Sequence, residues 1–237
     1  MKQVKILFSC DDASADDMVL AELLAKYQIP AVFYIPIKTR DLMDNQIRKL
    51  AGTEPNCDWC KKNKGLFEVG AHTMTHPEDM KLLSPEELRY EVEESKKGLE
   101  QITTSISGRV EIIKFCYPSG RYNEKVKEAV KKAGFKEART VKPFCVDFPK
   151  DPFETHPTIH IHPEKKQYGD RTWKEWAEEK LAEVIMNGGR FEIWCHGWEV
   201  ELYHQWEFLE DFLIFMDEKM KDINYPRKAS IPYFEIP

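Results

Sequence analysis

The 237-residue sequence predicts an α/β protein built as a single parallel β/α barrel or distorted barrel. Strand-like and helix-like segments alternate from end to end, and no internal repeat or low-complexity linker divides them. The hydrophobic fraction of 42% is enough for one sizeable core. About seven strands separated by helices are typical of a parallel layered sheet, so residues 1–237 are interpreted as one domain.

The first half of the chain opens with the strand VKILFS, the helix DDMVLAELLAKY and the strand AVFYIP. Apolar residues at helical spacing identify the helix, and β-branched and aromatic runs identify the strands. A helix near residues 41–51 and a strand in LFEVGAHT follow. Between these two, residues 52–66 are predicted to be a loop insertion that carries the CxxC pair Cys57 and Cys60.

The second half begins with the helix SPEELRYEVEESKKGLEQI, where Ser84 and Glu87 form a capping box. A strand in VEIIKFCYP precedes a helix in NEKVKEAVKKAG that Asn123 caps. Strands in KEART and THPTIHIH, the helix TWKEWAEEKLAEVIMNGG and the strand RFEIWC continue the alternation. A last helix is predicted over residues 202–221.

Charge and composition favour a small soluble substrate. The 41 acidic residues outnumber the 35 basic ones and neither sign forms a block, so nucleic-acid and membrane partners are not expected. No signal-like leader or bilayer-length apolar run is present, which predicts a cytoplasmic protein with reduced cysteines. Cys57 and Cys60 have the spacing of a redox or zinc site, but no second pair accompanies them, which favours two thiols in a surface loop.

Polar residues follow the predicted strands at the points where those strands end. Asp11 and Asp12 follow the first strand, His72 and His76 a later one, and His196 the last. The carboxyl ends of barrel strands meet at one face, and one carboxylate with two imidazoles is a usual ligand set for a divalent transition metal. Each aspartate could instead cap the following helix, but the joint pattern favours a metal site.

The spacing of His72 and His76 allows both imidazoles to point at one ion if the segment makes a turn. Thr73 stands where the zinc-protease motif HExxH has its glutamate, and the segment leaves a strand rather than lying within a long helix. A general base must therefore come from elsewhere, and Asp11 or Asp12 is available.

Four stretches, FSCDDASADD, GAHTMTHPEDM, KFCYPSGRYNE and EIWCHGWEVE, resemble the polysaccharide deacetylase family in order and interval. These are metal-dependent N-deacetylases related to nodulation-factor deacetylase, and HGWE is similar to the branch that includes peptidoglycan-type deacetylases. The resemblance implies a distorted (β/α)7 barrel. It also implies that Asp12, His72 and His76 are the metal ligands. By the same resemblance, Asp11 is the catalytic base and His196 is the catalytic acid.

Zinc is the expected metal by this resemblance, although the same ligands would accept cobalt, nickel or iron. A backbone N–H in the turn of Tyr117, Ser119 and Gly120 is expected to stabilise the oxyanion, since Pro118 has none. Trp198 and Glu199 are expected to line the substrate cleft, although Trp198 could instead pack in the barrel.

The third stretch departs from the family pattern Arg-Pro-Pro-Tyr-Gly, whose arginine holds the base, because Cys116 occupies the arginine position. Arg121 and Arg139 are candidate replacements, but either could form a surface or structural ion pair. The acidic residue that orients the acid histidine also lacks an evident counterpart, and the candidates are Asp147, Asp170 and Glu199.

Two further features leave alternatives open. His160 and His162 lie on one face of a predicted strand, which allows a second metal site or two histidines at a wet strand end. The cysteines that precede site residues, among them Cys116, are expected to pack as small apolar core residues.

The function expected is N-deacetylation of an N-acetyl amino sugar or a saccharide. Alternatives are hydrolysis of another amide, such as a cyclic imide or ureide, and a non-catalytic member that binds metal or saccharide.

Overall fold

The structure is a computed structural model that describes residues 2–106, 110–232 and 234–236. Seven strands form one curled parallel sheet in the order β5-β4-β3-β2-β1-β7-β6, and an eighth pairs antiparallel with the start of β1. The strands are β1 (Lys2–Asp11), β2 (Ala31–Ile35), β3 (Phe67–Ala71), β4 (Lys114–Cys116), β5 (Glu137–Arg139), β6 (Ile159–His160), β7 (Gly189–His196) and β8 (Phe234–Ile236).

Helices connect successive strands and cover the outside of the sheet. They are α1 (Asp17–Lys26), α2 (Asp44–Leu50), α3 (Asp58–Lys62), α4 (Pro85–Arg89), α5 (Ser95–Thr103), α6 (Glu124–Lys132), α7 (Trp173–Asn187), α8 (Gly197–Leu202) and α9 (Trp206–Asp222). A π-helical turn, Tyr90–Glu94, joins α4 to α5. Among the described residues, none of these helices has the length and apolarity needed to cross a membrane.

The segment before β6 joins the two edges of the curled sheet. Thr155 forms a parallel bridge with Arg139 on β5, and Ile159 pairs with Ile193 on β7 a few residues later. The predicted distorted (β/α)7 barrel is confirmed by this arrangement, since seven parallel strands alternate with helices around one curled sheet.

Alternation along the strands separates two environments. On β1, Val4, Ile6 and Phe8 face the helices and belong to the main apolar core. Ser9 and Asp11 face the barrel interior, where they contact charged side chains of other strands. The interior is therefore polar directly beneath the carboxyl ends of the strands.

Two predicted strands are shorter than expected. In the fourth strand, the N–H of Ile112 donates to the Glu100 carboxylate instead of a neighbouring strand, and the ladder begins only at Lys114. Before β6, Pro157 has no N–H to donate, and within β6 the N–H of His160 donates to the Tyr168 hydroxyl. Side-chain acceptors and a proline thus replace ladder partners at both positions.

The last predicted helix, over residues 202–221, corresponds to α9, but its predicted start is too early, and the short helix α8 before it was not predicted. Helix α8 begins at Gly197, directly after His196. The helical conformation is interrupted at His204, whose φ is 53°. A second helix, α9, then runs from Trp206. A left-handed residue cannot continue a right-handed helix, so α8 and α9 are separate helices.

The 52–66 segment contains the short helix α3 as well as loop. Cys57 caps this helix, because its sulfur accepts the N–H of Cys60 at 3.1 Å. Cys60 is buried, and burial raises the pKa of its thiol to about 12. Both cysteines are free, and neither lies in a group with metal-ligand spacing among the described residues.

Candidate active site

The carboxyl ends of β1, β3 and β7 bring the predicted polar residues together. Asp11 and His196 are direct neighbours in the β1–β7 ladder. Asp12 follows β1 with a φ of 76°, and His72 follows β3, two strands away. Asp12 is consequently flanked by His72 and His76 on one carboxylate oxygen and by His196 on the other.

Asp12, His72 and His76 have the spacing of metal ligands rather than of hydrogen-bonded partners. Oδ1 of Asp12 lies 3.6 Å from Nε2 of His72 and 3.5 Å from Nε2 of His76. Zinc bonds of about 2.0–2.2 Å at tetrahedral angles separate neighbouring ligand atoms by roughly 3.3–3.6 Å. Oδ1 is also buried without a hydrogen-bond partner among the described residues, so the three side chains fit a divalent ion.

His72 is held in the form that a metal needs. Its Nδ1 lies 2.8 Å from the carbonyl oxygen of Cys116, so Nδ1 carries the proton and Nε2 presents its lone pair to the site. Burial lowers the pKa of His72 to about 4, which keeps the ring neutral at physiological pH.

The loop that carries His76 is fixed by a residue that the sequence motifs did not identify. Glu91 is buried in the π-helical turn and accepts the N–H groups of Met74 and Thr75, each at 2.9 Å, and the Thr75 hydroxyl at 2.7 Å. Thr73 and His76 adopt left-handed conformations within this loop. Glu91 therefore stabilises a strained turn that directs His76 toward Asp12.

Asp11 lies deeper than Asp12 and pairs with a buried arginine. Its Oδ2 accepts from Nη2 of Arg139, which is fully buried, while Oδ1 has no hydrogen-bond partner among the described residues. Burial favours a raised pKa, but the charge and hydrogen bond of Arg139, together with the nearby His72 and His196, outweigh it, so the pKa of Asp11 lies below its usual value. The ionised carboxylate thus has one anchored oxygen and one available oxygen.

Cys116 differs from the expected apolar core residue. Its sulfur lies 3.0 Å from Nη2 of Arg139 and 3.5 Å from Oδ2 of Asp11. Burial raises the pKa of this thiol well above its usual value, so Cys116 is a neutral thiol at the wall of the site.

His196 is oriented by Glu199, one turn along α8. Nδ1 of His196 lies 2.7 Å from Oε2 of Glu199, and Nε2 lies 3.6 Å from Oδ2 of Asp12. Burial lowers the pKa of His196, but the Glu199 hydrogen bond and the charges of Asp11 and Asp12 raise it above its usual value overall. The imidazole presents Nε2 to the open side of the site.

The alternative second metal site at His160 and His162 does not fit the observed distances. Nε2 of His160 lies 2.7 Å from the same Glu199 oxygen that accepts from His196, which is hydrogen-bond spacing. His162 lies 3.7 Å from the other oxygen and stacks at an angle on Tyr203. These buried histidines belong to a network around Glu199, and they are not at a wet strand end.

Above these residues lies an open cleft of about 330 Å³. Its lining includes Asp12, Ser14, Asp41, His76 and Trp198. The Trp198 ring is partly exposed and stacks on His196, with ring centroids 5.4 Å apart. Trp198 is therefore a cleft residue and not barrel packing.

The turn expected to supply an oxyanion donor offers fewer donors than its sequence suggests. The N–H of Tyr117 donates to the carbonyl of Arg139, and that of Gly120 donates to the carbonyl of Tyr117. The N–H of Ser119, a residue in a left-handed conformation with φ 53°, is therefore the one left among the three expected donors.

The other sequence candidates lie apart from these groups. Arg121 donates to the carbonyl of Glu78 at the surface. Asp147 is exposed beside Lys2 and Gly188, at the opposite end of the barrel. Asp170 is exposed after Gly169.

A model of the family described as Polysaccharide deacetylase matches residues 2–138 of the chain. This range includes Asp11, Asp12, His72 and His76. A search of curated proteins found no significant match.

Solved structures share this fold at low identity. The deacetylase PplD of Streptococcus pyogenes, solved with acetate, matches at 20% identity and TM-score 0.52, over 63% of this chain and 62% of its own. A family 4 carbohydrate esterase from Streptomyces lividans, also with acetate, matches at 13% and 0.53, over 93% and 88%. A pseudoenzyme of the same esterase family from Bacillus anthracis matches at 16% and 0.54, over 91% and 61%. The chain thus spans less than two thirds of the Streptococcus and Bacillus proteins.

Proposed function

The chain belongs to the polysaccharide deacetylase family, and from this premise we propose that it is a metal-dependent hydrolase that removes the acetyl group from an N-acetyl amino sugar or short saccharide. The observation that carries the proposal is the ligand-spaced group of Asp12, His72 and His76, with Asp11 on one side and His196 on the other. The proposal takes the whole chain as one catalytic domain, with the 52–66 segment outside the site.

Asp12, His72 and His76 would hold the ion, and zinc suits one carboxylate and two neutral imidazoles. Cobalt, nickel or iron would also be accepted by these donors. When bound, a divalent ion supplies polarisation of the amide carbonyl and lowers the pKa of water.

Asp11 is proposed as the general base. Arg139 anchors Oδ2, and the second oxygen, Oδ1, has no partner among the described residues. A base must hold an available lone pair within reach of the proton that it removes, and Oδ1 meets that requirement next to the proposed ligand Asp12.

His196 is proposed as the general acid. Glu199 accepts a hydrogen bond from Nδ1–H of His196. Nε2 is therefore the nitrogen that faces the cleft and would protonate the leaving amine. Amines leave poorly as anions, and an acid on the side opposite the base is therefore required. The N–H of Ser119 is proposed to stabilise the oxyanion of the carbonyl.

The cleft favours a substrate of about one sugar ring at the reaction centre. Its volume of about 330 Å³ is at the low end of ligand sites, and Trp198 offers an aromatic face to a pyranose ring. Thr39, Thr75 and Asp41 add polar groups for hydroxyls around it.

The test combines metal content with product release. Purified wild type, the double variant His72→Ala/His76→Ala and the control His204→Ala, which alters an exposed histidine, are analysed by elemental mass spectrometry. Acetate release is then measured on N-acetylated saccharides, alongside cyclic imides and ureides.

We expect near-stoichiometric metal and acetate release in wild type and His204→Ala, and neither in the double variant. Hydrolysis of imides or ureides without acetate release would reject the substrate class. Metal binding without turnover of any substrate would favour a binding role, as in a pseudoenzyme.

A further inference from the structure

Arg139 is held from two sides inside the barrel. Its Nη2 contacts Asp11 above, and its Nε lies 3.7 Å from Oε1 of Glu192. The guanidinium also lies over the ring of Trp194, 4.6 Å from the centroid, and 5.3 Å from that of Tyr34. These contacts leave the guanidinium little freedom to turn.

Glu192 is itself fixed by two partners. It is fully buried on β7, its Oε1 accepts the Ser9 hydroxyl at 2.6 Å, and its Oε2 pairs with Arg190. Charges of alternating sign therefore run along the barrel interior from Asp11 through Arg139 and Glu192 to Arg190.

A buried guanidinium needs compensating charge, because an unpaired ion in the interior is strongly destabilising. Asp11 supplies one negative charge, but it contacts only the Nη2 end of the Arg139 guanidinium. Glu192 supplies the second charge at the Nε end, on the side away from the cleft. Glu192 thus balances the charge of Arg139 without touching the Asp11 carboxylate.

We propose that Glu192 is a positioning residue of the reaction, acting through Arg139 to fix the orientation of the Asp11 carboxylate. Ser9 orients Glu192 by donating to the oxygen that faces Arg139. This inference rests on the proposed function, in which Asp11 is the base.

A second ion group in the same barrel, in which Lys114 is buried and its partners are partly exposed, provides a control. Lys114 pairs with Glu137 at 2.7 Å and with Glu68 at 3.1 Å. This group also lies in the interior, but it lies at the start of β4 and β5, away from Asp11. Glu137→Gln and Glu192→Gln each remove one carboxylate charge that pairs with a buried cation, and only Glu192 contacts Arg139.

Steady-state kinetics with metal analysis separate positioning from stability. We expect Glu192→Gln to lower kcat by about 10- to 100-fold with an unchanged metal content and a much smaller change in KM. Glu192→Asp, which keeps the charge, should recover part of kcat, and Glu137→Gln should leave kcat near wild type. Equal effects of Glu192→Gln and Glu137→Gln on kcat would overturn the proposal.

A binding measurement tests the same contact without turnover. Arg139→Ala leaves space for free guanidinium, whose binding at millimolar concentration is followed by thermal shift against sodium chloride of equal ionic strength. We expect guanidinium to raise the Tm of Arg139→Ala and to bind at least about tenfold more weakly when Glu192→Gln is added.

Equal guanidinium affinity in the two backgrounds would reject Glu192 as the anchor. If Arg139→Ala does not fold, guanidinium binding is compared with and without Glu192→Gln in an Arg139→Gly variant that is expressed in the presence of guanidinium. Absence of hydrolysis in wild type would instead reject the proposed function, and the guanidinium result would still decide whether Glu192 holds the guanidinium.

Discussion

Glu199 and His196 share a hydrogen bond of 2.7 Å between Oε2 and Nδ1, and the same oxygen lies 2.7 Å from Nε2 of His160. One carboxylate oxygen thus faces two imidazole N–H groups. The pKa of Glu199 is held below its usual range by these contacts, against the effect of burial. It therefore remains ionised and fixes the proton of His196 on Nδ1.

Glu199→Gln should move the alkaline limb of the pH–rate profile to lower pH. Glu199 raises the pKa of His196, so its loss lowers that pKa. An acid works in its protonated form, and activity falls as pH rises through its pKa. We expect this fall at lower pH in the variant, with a loss of about 10- to 100-fold in kcat/KM.

The control for this experiment is Glu201→Gln on the same helix, because Glu201 accepts from Trp206 and not from a histidine. Profiles of kcat/KM against pH for the three proteins decide the matter. An alkaline limb that stays in place in Glu199→Gln would show that Glu199 does not set the acidity of His196.

Asp11→Asn and Asp12→Asn should separate catalysis from metal binding. Asp11→Asn is expected to lower kcat by about 10²- to 10⁴-fold, the usual contribution of a general base, and to retain metal. Asp12→Asn removes a charged ligand and should lose both the metal and the activity. Acetate release and metal content are measured on the same preparations, and loss of metal from Asp11→Asn would reassign Asp11 as a ligand.

The metal-free protein should lose stability on acidification between about pH 6.5 and 4. Burial lowers the pKa of both His72 and His160 to about 4, whereas an unfolded histidine titrates near 6.5. The unfolded state therefore binds more protons in this window, and the free energy of unfolding falls as pH falls. The change is on the order of 3 kcal/mol per histidine, before opposite contributions from His196 and from Asp17, whose pKa burial raises to about 7.

Urea denaturation at several pH values tests this expectation. His160→Gln should show a shallower dependence than wild type, because one histidine no longer has to remain neutral on folding. His204→Gln, at an exposed position, should match wild type. An identical pH dependence in wild type and His160→Gln would contradict the buried, neutral state of His160.

The fold was predictable because its elements follow local patterns. The Ser84 and Asn123 caps predicted helix starts that the structure contains, with Glu87 and Val126 as their N–H donors. The residues after the strands were identifiable because parallel strand ends meet at one face. Shortened β4 was not predictable, since it depends on the distant carboxylate of Glu100.

The supporting residues of the site were harder to find from sequence. Arg139 lies 128 residues from Asp11 along the chain, and only the sheet order places β5 close enough for its side chain to reach across the barrel. Glu91 lies in a segment whose pattern is that of an ordinary surface helix, and the π-helical turn that buries it has no recognised sequence signal. The sequence named Arg139 and Glu199 only as candidates among others, and Glu192 was not identified although a charge inside the apolar strand RFEIWC requires a partner.

Gly197→Ala should disturb the turn that carries His196. A Cβ at this position would lie 2.3 Å from Oδ1 of Asp17 and 3.0 Å from Oγ of Ser14. Asp17 is fully buried and accepts from Ser14 at 2.7 Å, so it cannot move away freely. We expect a loss of about 1–3 kcal/mol in the free energy of unfolding and a reduced kcat.

The penalty of Gly197→Ala should shrink when Asp17→Ala is present, since the blocking carboxylate is gone. Gly98→Ala in α5 serves as the control, because Gly98 lies outside the left-handed region and its added Cβ would meet only the flexible side-chain end of Ile37 at 3.3 Å. Stability and kcat are measured for the full cycle. A penalty unchanged by Asp17→Ala would place the clash elsewhere.

Glu91 should determine metal affinity without contacting the metal. Its two oxygens accept three donors from the loop before His76, and that loop contains left-handed Thr73 and His76. Glu91→Ala leaves those donors unpaired, so the turn should relax and His76 should lose its alignment with Asp12. We expect metal to bind about 10- to 100-fold more weakly, and Glu91→Gln, which keeps one acceptor oxygen, to have a smaller effect.

Competition with a chelator of known affinity measures this loss, with Glu93→Gln as the control, since Glu93 only approaches Arg89 and Lys97 at the helix surface. The order of metal affinity should be wild type and Glu93→Gln, then Glu91→Gln, then Glu91→Ala. Wild-type affinity in a folded Glu91→Ala would mean that the loop keeps its conformation without the carboxylate. In that case the left-handed conformations of Thr73 and His76, rather than Glu91, would direct the second imidazole to the site.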